Sequence, residues 1–259
     1  MKTPRKTAVI GSRGRMGAMF CNMAAAAGLD AAGADMPLTP DMLEKTCADA
    51  DMALICVPAA FFEATLTRAC RHLPRCAVLA DITSVKEQPM RQMERHWQGP
   101  VVGTHPLFGP TSAADEDLPV AVTPGRNAGP KHIALLNGFF NAIGCRVFET
   151  TAQRHDQAMA RIQGMNFITT LAYFALLAQK DDLLPFVTPS FRRRLNAAKK
   201  MLTEDASLFT GLFEANPHSH EAVRQYRQML NLAASGDIDL LCEKAQWWWE
   251  DARIGSGTI

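Results

Sequence analysis

Short apolar runs alternate with helical stretches through the first 150 residues, and this alternation constrains the fold more than any other feature of the chain. The runs lie at residues 7–10, 30–34, 51–57, 77–81, 101–104, 120–122 and 145–149. Helical patterns such as Met16–Ala27 and Ala59–Arg71 separate the first of them. Strands that are apolar throughout favour a parallel sheet that is covered by helices on both faces. Residues 1–150 are therefore predicted to form one α/β domain.

The pattern changes after residue 151, where strand-like runs end and helical signals take over. One helical pattern covers 153–179, and the last covers 237–253. Thr188-Pro189 and Asn216-Pro217 each place a capping residue before a proline, which is a common helix start. We predict an all-helical second domain over 151–259.

Composition and charge argue against several classes of protein. The chain has 27 basic and 26 acidic residues, a net charge of +1, which gives no support for binding to nucleic acid or to a membrane surface. Its seven cysteines include no CxxC and no Cys/His spacing that suits zinc, so free thiols in a reducing compartment and no bound metal are expected. No segment is long enough for a signal peptide or a membrane span, which predicts a cytoplasmic protein.

The sequence GSRGRMG at 11–17 lies between the first predicted strand and the first predicted helix. Its spacing is G-x-x-G-x-x-G, and Ser12 stands where the usual G-x-G-x-x-G fingerprint has its first glycine. Gly14 lets the backbone approach a pyrophosphate, Gly17 lets the helix pack closely on the sheet, and the helix N-terminus offers free N–H groups. We predict a dinucleotide site here; the alternative is an ordinary strand-to-helix turn.

Charged residues accompany this loop. Asp35 follows the second predicted strand, near the place where an acid binds the ribose hydroxyls of NAD. NAD is therefore favoured over NADP, and Arg13 or Arg15 is able to reverse that preference. The predicted cofactor-binding residues are Gly11, Ser12, Arg13, Gly14, Arg15, Met16, Gly17, Asp35, Val57 and Pro58.

Polar residues follow two later strands. DITSVK at 81–86 and GTHPLFGP at 103–110 each begin at or near a strand end, and the second places His105 directly after its strand. The carboxyl ends of parallel strands share the sheet edge where ligands bind. A histidine there can accept a proton while hydride leaves a substrate. The alternative is a hydrogen bond that only caps the loop.

Three features of the second half each have two interpretations. The arginines 192–194 form either a solvated helix face or an anion site. The tryptophans 247–249 form either a packed aromatic cluster or a dimer contact. His155, the first residue of a His-Asp pair, either caps the long helix that it opens or has a role in a site.

Five motifs together resemble the prephenate dehydrogenase family, including its arogenate-using members. They are GSRGRMG (11–17), DITSVK (81–86), GTHPLFGP (103–110), HDQAMARIQ (155–163) and TPSFRRRL (188–195), in the family's order. The resemblance implies a Rossmann-type domain with a mostly parallel sheet, followed by an all-α dimerisation domain. It also implies a homodimer that carries out the NAD-dependent oxidative decarboxylation of prephenate or arogenate in tyrosine biosynthesis.

The resemblance assigns roles to three residues. His105 would take the proton from the ring hydroxyl, Ser84 would hydrogen-bond the same hydroxyl and the histidine, and Arg192 would bind a substrate carboxylate. Phe167 stands where several prephenate-using members have a second histidine, so pyruvyl and alanyl side chains of the substrate both stay open. No segment resembling chorismate mutase precedes the glycine loop, so a single-activity form is expected.

Two other functions are compatible with the same motifs. One is a dehydrogenase for an amino-substituted prephenate analogue, and the other is a non-catalytic dimer that senses NAD(H). A sensor has no need for a base and a carboxylate-binding arginine beside its cofactor, so the residues His105, Ser84 and Arg192 favour a dehydrogenase.

Overall fold

The computed structural model describes residues 3–110 and 117–249, and its contacts divide the chain into two compact units. The first unit is Met1–Met159 and the second is Ala160–Ile259. The first unit contains a seven-stranded sheet with helices, and the described part of the second unit is helical. The α/β class of the first half and the helical class of the second half are thus confirmed.

The seven strands form one mostly parallel sheet in the order β2-β1-β3-β4-β5-β6-β7. They are β1 (Thr7–Ile10), β2 (Ala31–Ala34), β3 (Met52–Ile55), β4 (Val78–Asp81), β5 (Val101–Pro106), β6 (Pro119–Pro124) and β7 (Arg146–Glu149). The mostly parallel sheet that was predicted is confirmed, and its one antiparallel pair is β5 with β6. The connection at 107–118 contains no helix-length apolar pattern, and a parallel pair needs a crossover, usually a helix.

Helices cover both faces of the sheet, as the apolar strands predicted. On one face, α1 (Arg15–Ala26) and α5 (Pro130–Ala142) pack on the strand residues represented by Val9 and Leu54. On the other face lie α2 (Pro40–Cys47), α3 (Ala59–Ala69) and α4 (Glu87–His96). Adjacent strand residues point to opposite faces, so strands that are buried on both sides need apolar residues at every position.

The helix α6 (Ala152–Met159) belongs to the first unit. Its residue Asp156 bonds the backbone at the start of α4, and this long-range contact ties the helix to the sheet domain. The assignment of dinucleotide binding to residues 1–150, and of substrate binding and dimerisation to residues 151–259, stays a prediction.

The second unit consists of helices in the part of the chain that the structure describes. Its elements are a π-helical turn (Ala160–Gly164), α7 (Met165–Leu176), a 3-10 helix (Asp181–Phe186), α8 (Pro189–Thr203), α9 (Ala206–Ala215), α10 (Ser219–Ala234), α11 (Ile238–Gln246) and a 3-10 turn (Trp247–Trp249). The helix predicted over 153–179 is interrupted by the π-helical turn, which ends at a glycine, the poorest helix former after proline. The helix predicted over 237–253 ends at Gln246, and the part of it beyond residue 249 lies outside the described residues.

Within residues 3–110 and 117–249, the structure contains no helix that is both long and apolar enough to span a membrane.

Candidate active site

The predicted site residues of the first unit lie along one edge of the sheet. Strands β1 to β5 are mutually parallel, so their carboxyl ends meet at this edge. The glycine loop follows β1, Asp35 follows β2, Val57 and Pro58 follow β3, and Ser84 follows β4. His105 is the fifth residue of β5. This is the edge at which open α/β sheets bind their ligands.

Two glycines of the loop are required by packing. Gly11 has φ 93°, and a Cβ there would lie 2.4 Å from the carbonyl oxygen of Cys56. A Cβ on Gly17 would lie 2.1 Å from the carbonyl oxygen of Gly11, so α1 can approach the sheet only without a side chain at this position. Gly14 is less crowded, with its nearest neighbour at 3.3 Å. The loop is thus a tight turn whose middle glycine leaves its backbone accessible.

The N-terminus of α1 suits an anion. The helix begins at Arg15 with Gly14 as its N-cap, and neither a capping side chain nor an acidic residue is present in its first turn. The first N–H groups of a helix have no partner within the helix, and they carry partial positive charge. The uncapped turn, the backbone of Gly14 and the charge of Arg15 therefore fit the pyrophosphate of a dinucleotide.

Ser12 stands at the position of the first fingerprint glycine, and its side chain fits there because the facing residue of β2, Gly33, has no side chain. A Cβ on Gly33 would lie 2.7 Å from the hydroxyl oxygen of Ser12, so the side chain of Ser12 covers this glycine. The substitution in the fingerprint is thus compensated on the neighbouring strand.

His105 lies inside β5 rather than after it, which corrects the sequence-based placement. The residue pairs with Ala121 of β6, and β5 continues to Pro106 because the antiparallel partner extends the ladder. Its side chain is buried, with 4% of the residue exposed. Pairing with β6 fixes the backbone of His105 more firmly than an unpaired loop would.

His105 is the first member of a hydrogen-bonded chain that also contains a second imidazole and a carboxylate. The Nδ1 atom of His105 lies 2.9 Å from Nε2 of His155, and Nδ1 of His155 lies 2.7 Å from Oδ1 of Asp156. All three side chains are buried. His155 was expected at the sequence level to cap a helix or to serve a site, and it contacts the predicted base directly.

Asp156 caps α4, a helix that begins about 70 residues earlier in the chain. Its two carboxylate oxygens accept hydrogen bonds from the backbone N–H groups of Lys86 (2.7 Å) and Glu87 (2.8 Å). Burial raises the pKa of Asp156, but the hydrogen bonds from His155, Glu87 and Lys86 outweigh it and lower the pKa below its ordinary value. Asp156 is therefore a carboxylate, and it fixes the proton of His155 on Nδ1.

Lys86 is a fully buried ammonium at the same edge. Its Nζ donates to Oδ2 of Asp81 at 2.5 Å and to the carbonyl oxygen of Thr104 at 2.6 Å. Thr83 is its third acceptor, at 3.1 Å. The ammonium thus joins the end of β4 to the residue that precedes His105 in β5.

These surroundings keep His105 neutral. Burial lowers the pKa of His105 well below its ordinary value, and His155 and Lys86 lower it further. A neutral imidazole is the form that can accept a proton.

The remaining predicted residues are less constrained by described contacts. Ser84 is half-buried in the loop after β4, and Arg192 is exposed in the second turn of α8. Arg194 is also exposed, and its guanidinium lies 3.8 Å from the ring centre of Tyr173. The roles predicted for Ser84 and Arg192 stay predictions.

Phe167 is buried and stacks on Phe209, with ring centres 5.5 Å apart and planes 18° apart. It offers no hydrogen bond at the position where several prephenate-using members carry a histidine.

A surface cavity of about 710 Å³ lies elsewhere on the first unit. It is lined by residues of α4, of the end of β6 and of the start of α6, among them Glu94, Thr123 and Arg154. None of the predicted site residues lines it. The described residues also contain no cluster of three or more His, Cys, Asp or Glu side chains suited to a metal ion.

Comparison with known proteins finds similarity to one family. Residues 25–149 match the family model described as "Prephenate dehydrogenase, nucleotide-binding domain". The "T-protein" of Enterobacter agglomerans is 29% identical over 261 residues, which cover 96% of this chain and 69% of that protein. The chain is thus similar to proteins of the prephenate/arogenate dehydrogenase family over most of its length.

Solved structures agree with this family in fold. Arogenate dehydrogenase from Synechocystis matches with a TM-score of 0.76 at 22% identity, covering 94% of this chain and 97% of that one. Prephenate dehydrogenase from A. aeolicus, solved with hydroxyphenyl propionate and NAD+, matches with a TM-score of 0.75 at 18% identity and covers 95% of each chain. The Rossmann-type class is thereby confirmed.

Proposed function

We propose that the chain is a member of the prephenate/arogenate dehydrogenase family and that it carries out the NAD-dependent oxidative decarboxylation of prephenate, of arogenate or of both, in tyrosine biosynthesis. The observation that carries the proposal is the buried chain from His105 to Asp156 at the edge where the glycine loop opens. A base with an orienting partner beside a dinucleotide loop is the arrangement that hydride abstraction from an alcohol needs.

The hydrogen bonds determine which nitrogen of His105 is the base. Because the carboxylate of Asp156 accepts the Nδ1 proton of His155, Nε2 of a neutral His155 carries a lone pair. His105 then donates its Nδ1 proton to that lone pair, which leaves its own Nε2 unprotonated. Nε2 of His105 is therefore the atom that takes the proton from the ring hydroxyl.

The proton is held only briefly in this scheme. The glycine loop and Asp35 would hold NAD, which would supply the acceptor for the hydride that leaves C4 of the ring. Loss of the ring carboxylate as carbon dioxide then makes the ring aromatic, and His105 returns its proton to the phenolic oxygen. Aromatisation supplies most of the driving force, so the protein mainly orients the substrate and moves one proton.

We also propose a role for each of two further residues, Arg192 and Ser84. A guanidinium binds a carboxylate through two parallel hydrogen bonds, which suits the dicarboxylate substrates of this family. The side chain of Arg192 is exposed on α8 and has no described ion pair. Ser84 follows a strand end that Asp81, Thr83 and Lys86 hold in place, which supports its proposed hydrogen bond to the ring hydroxyl.

The activity is tested by NADH fluorescence after adding prephenate or arogenate to the full chain with NAD. We expect turnover of at least one substrate, and we expect Arg192→Ala to raise its KM by about 10–100-fold with a smaller effect on kcat, since a charged hydrogen bond contributes about 1.5–3 kcal/mol. Lys199→Ala, on the same exposed helix, is the matched control. No turnover of either substrate would refute the proposed function.

We further propose that the chain forms a homodimer through its second unit. Several large apolar side chains of this unit are exposed, and they include Leu184, Phe186, Trp248 and Trp249. Apolar exposure on this scale is typical of protein interfaces. Sedimentation equilibrium at micromolar concentration should give twice the 28.3 kDa mass of the chain, and a monomer would contradict the proposal. The cytoplasmic location stays a prediction.

A further inference from the structure

Asp35, the predicted ribose-binding acid, is already engaged with the glycine loop. Its Oδ2 accepts the backbone N–H of Arg13 at 2.8 Å, and its Oδ1 accepts the backbone N–H of Met36 at 2.7 Å. One carboxylate thus fastens the loop after β1 to the end of β2. Its position is set by two main-chain bonds and does not depend on a cofactor.

The guanidinium of Arg13 lies beside the same carboxylate. Its Nη2 is 3.6 Å from Oδ1 of Asp35 and also bonds the carbonyl oxygen of Met36. The side chain of Arg13 is 72% exposed, whereas that of Asp35 is 22% exposed. Exposed ion pairs contribute little to stability, so the arginine can leave its partner at small cost.

The ion pair between Arg13 and Asp35 changes the electrostatic effect of Asp35 on a bound ribose. An acid after β2 ordinarily accepts the 2′-hydroxyl of NAD, and its charge repels the 2′-phosphate of NADP. Here a guanidinium compensates that charge from within the loop. Arginine is also the side chain whose planar fork suits a phosphate group.

We propose that Arg13 and Asp35 form an adaptable ribose subsite that accepts NADP as well as NAD. With a 2′-hydroxyl, Arg13 stays on Asp35, which accepts the hydroxyl; with a 2′-phosphate, Arg13 turns to the phosphate. This inference rests on the proposed function, because it concerns the cofactor site of the same enzyme. It makes Arg13 the residue that determines cofactor specificity.

Two small probes isolate the 2′-phosphate. Adenosine 2′,5′-bisphosphate and 5′-AMP differ only in that group, and calorimetric titration of the full chain measures both without any turnover. We expect the wild type to bind both probes with affinities within about tenfold of each other. Arg13→Ala should weaken the bisphosphate by about 10–100-fold and 5′-AMP by less than about threefold, as expected for loss of charged hydrogen bonds.

The variant should fold, because the bond from residue 13 to Asp35 is made by its backbone N–H and survives the substitution. Arg5→Ala is the matched control. Arg5 forms a similar exposed pair with Asp51, at the opposite edge of the sheet, and its loss should leave both affinities unchanged.

Each other outcome contradicts a defined part of the proposal. If the wild type binds 5′-AMP but not the bisphosphate, or if Arg13→Ala weakens both probes equally, the specificity role of Arg13 is refuted. If neither probe binds, the dinucleotide site of the proposed function fails together with this inference. If both bind as expected but neither prephenate nor arogenate is turned over, the proposed function fails and the subsite stands.

Discussion

His105→Asn is expected to lower kcat/KM by about 10²–10⁴-fold, the range that a general base contributes. This loss corresponds to about 3–5 kcal/mol of transition-state stabilisation. Asparagine cannot accept a proton from the ring hydroxyl, but its amide can still donate to Nε2 of His155 and so preserve the buried hydrogen bond. The variant therefore removes the base while keeping the hydrogen bond to His155.

Two measurements distinguish this result from a general loss of structure. Binding of NAD, followed by calorimetry, should change by less than about threefold, because the glycine loop and α1 are untouched. His96→Asn is the control for histidine replacement; that residue lies at the end of α4 and pairs with Glu63. Near-normal turnover by His105→Asn would show that the proton leaves by another route.

Local patterns in the sequence were sufficient to predict the sheet and the glycine loop. Each buried strand is a continuous apolar run, so its position could be read to within a few residues. Gly11 and Gly17 are required by a turn and a close helix approach that involve residues near them in sequence or at the next strand end. The antiparallel direction of β6 is indicated by the connection before it, which has no helical pattern, and not by the composition of the strand itself.

The surroundings of His105 could not be predicted from such local patterns. His155 is 50 residues away in the chain, and the helix that Asp156 caps begins about 70 residues away. The sequence showed a His-Asp pair at a helix start, but not which strand or helix that pair would contact. Lys86 was named only as one polar residue after a strand, and lysines are almost never buried unless they are paired. Its burial depends on Asp81 and on the carbonyl oxygen of Thr104, which lies on another strand.

His155→Phe is expected to lower kcat by about 10–100-fold, the same range as the loss of a partner that orients a metal-bound histidine. Phenylalanine keeps a ring in the buried space but cannot accept the Nδ1 proton of His105. The imidazole then loses the bond that keeps its Nε2 unprotonated and aimed at the substrate. His155 is a better choice than Asp156 for this test, because loss of the carboxylate would also remove the cap of α4.

A double variant shows whether His155 acts through His105. When two residues act as a unit, removing the second costs little once the first is gone. In the His105→Asn background, His155→Phe should therefore lower the residual kcat by less than about threefold, against about 10–100-fold in the wild type. An equal loss in both backgrounds would mean that the phenylalanine disturbs the packing of α6 against the sheet. That result would refute a positioning role for His155, although the two imidazoles are hydrogen-bonded in the wild-type structure.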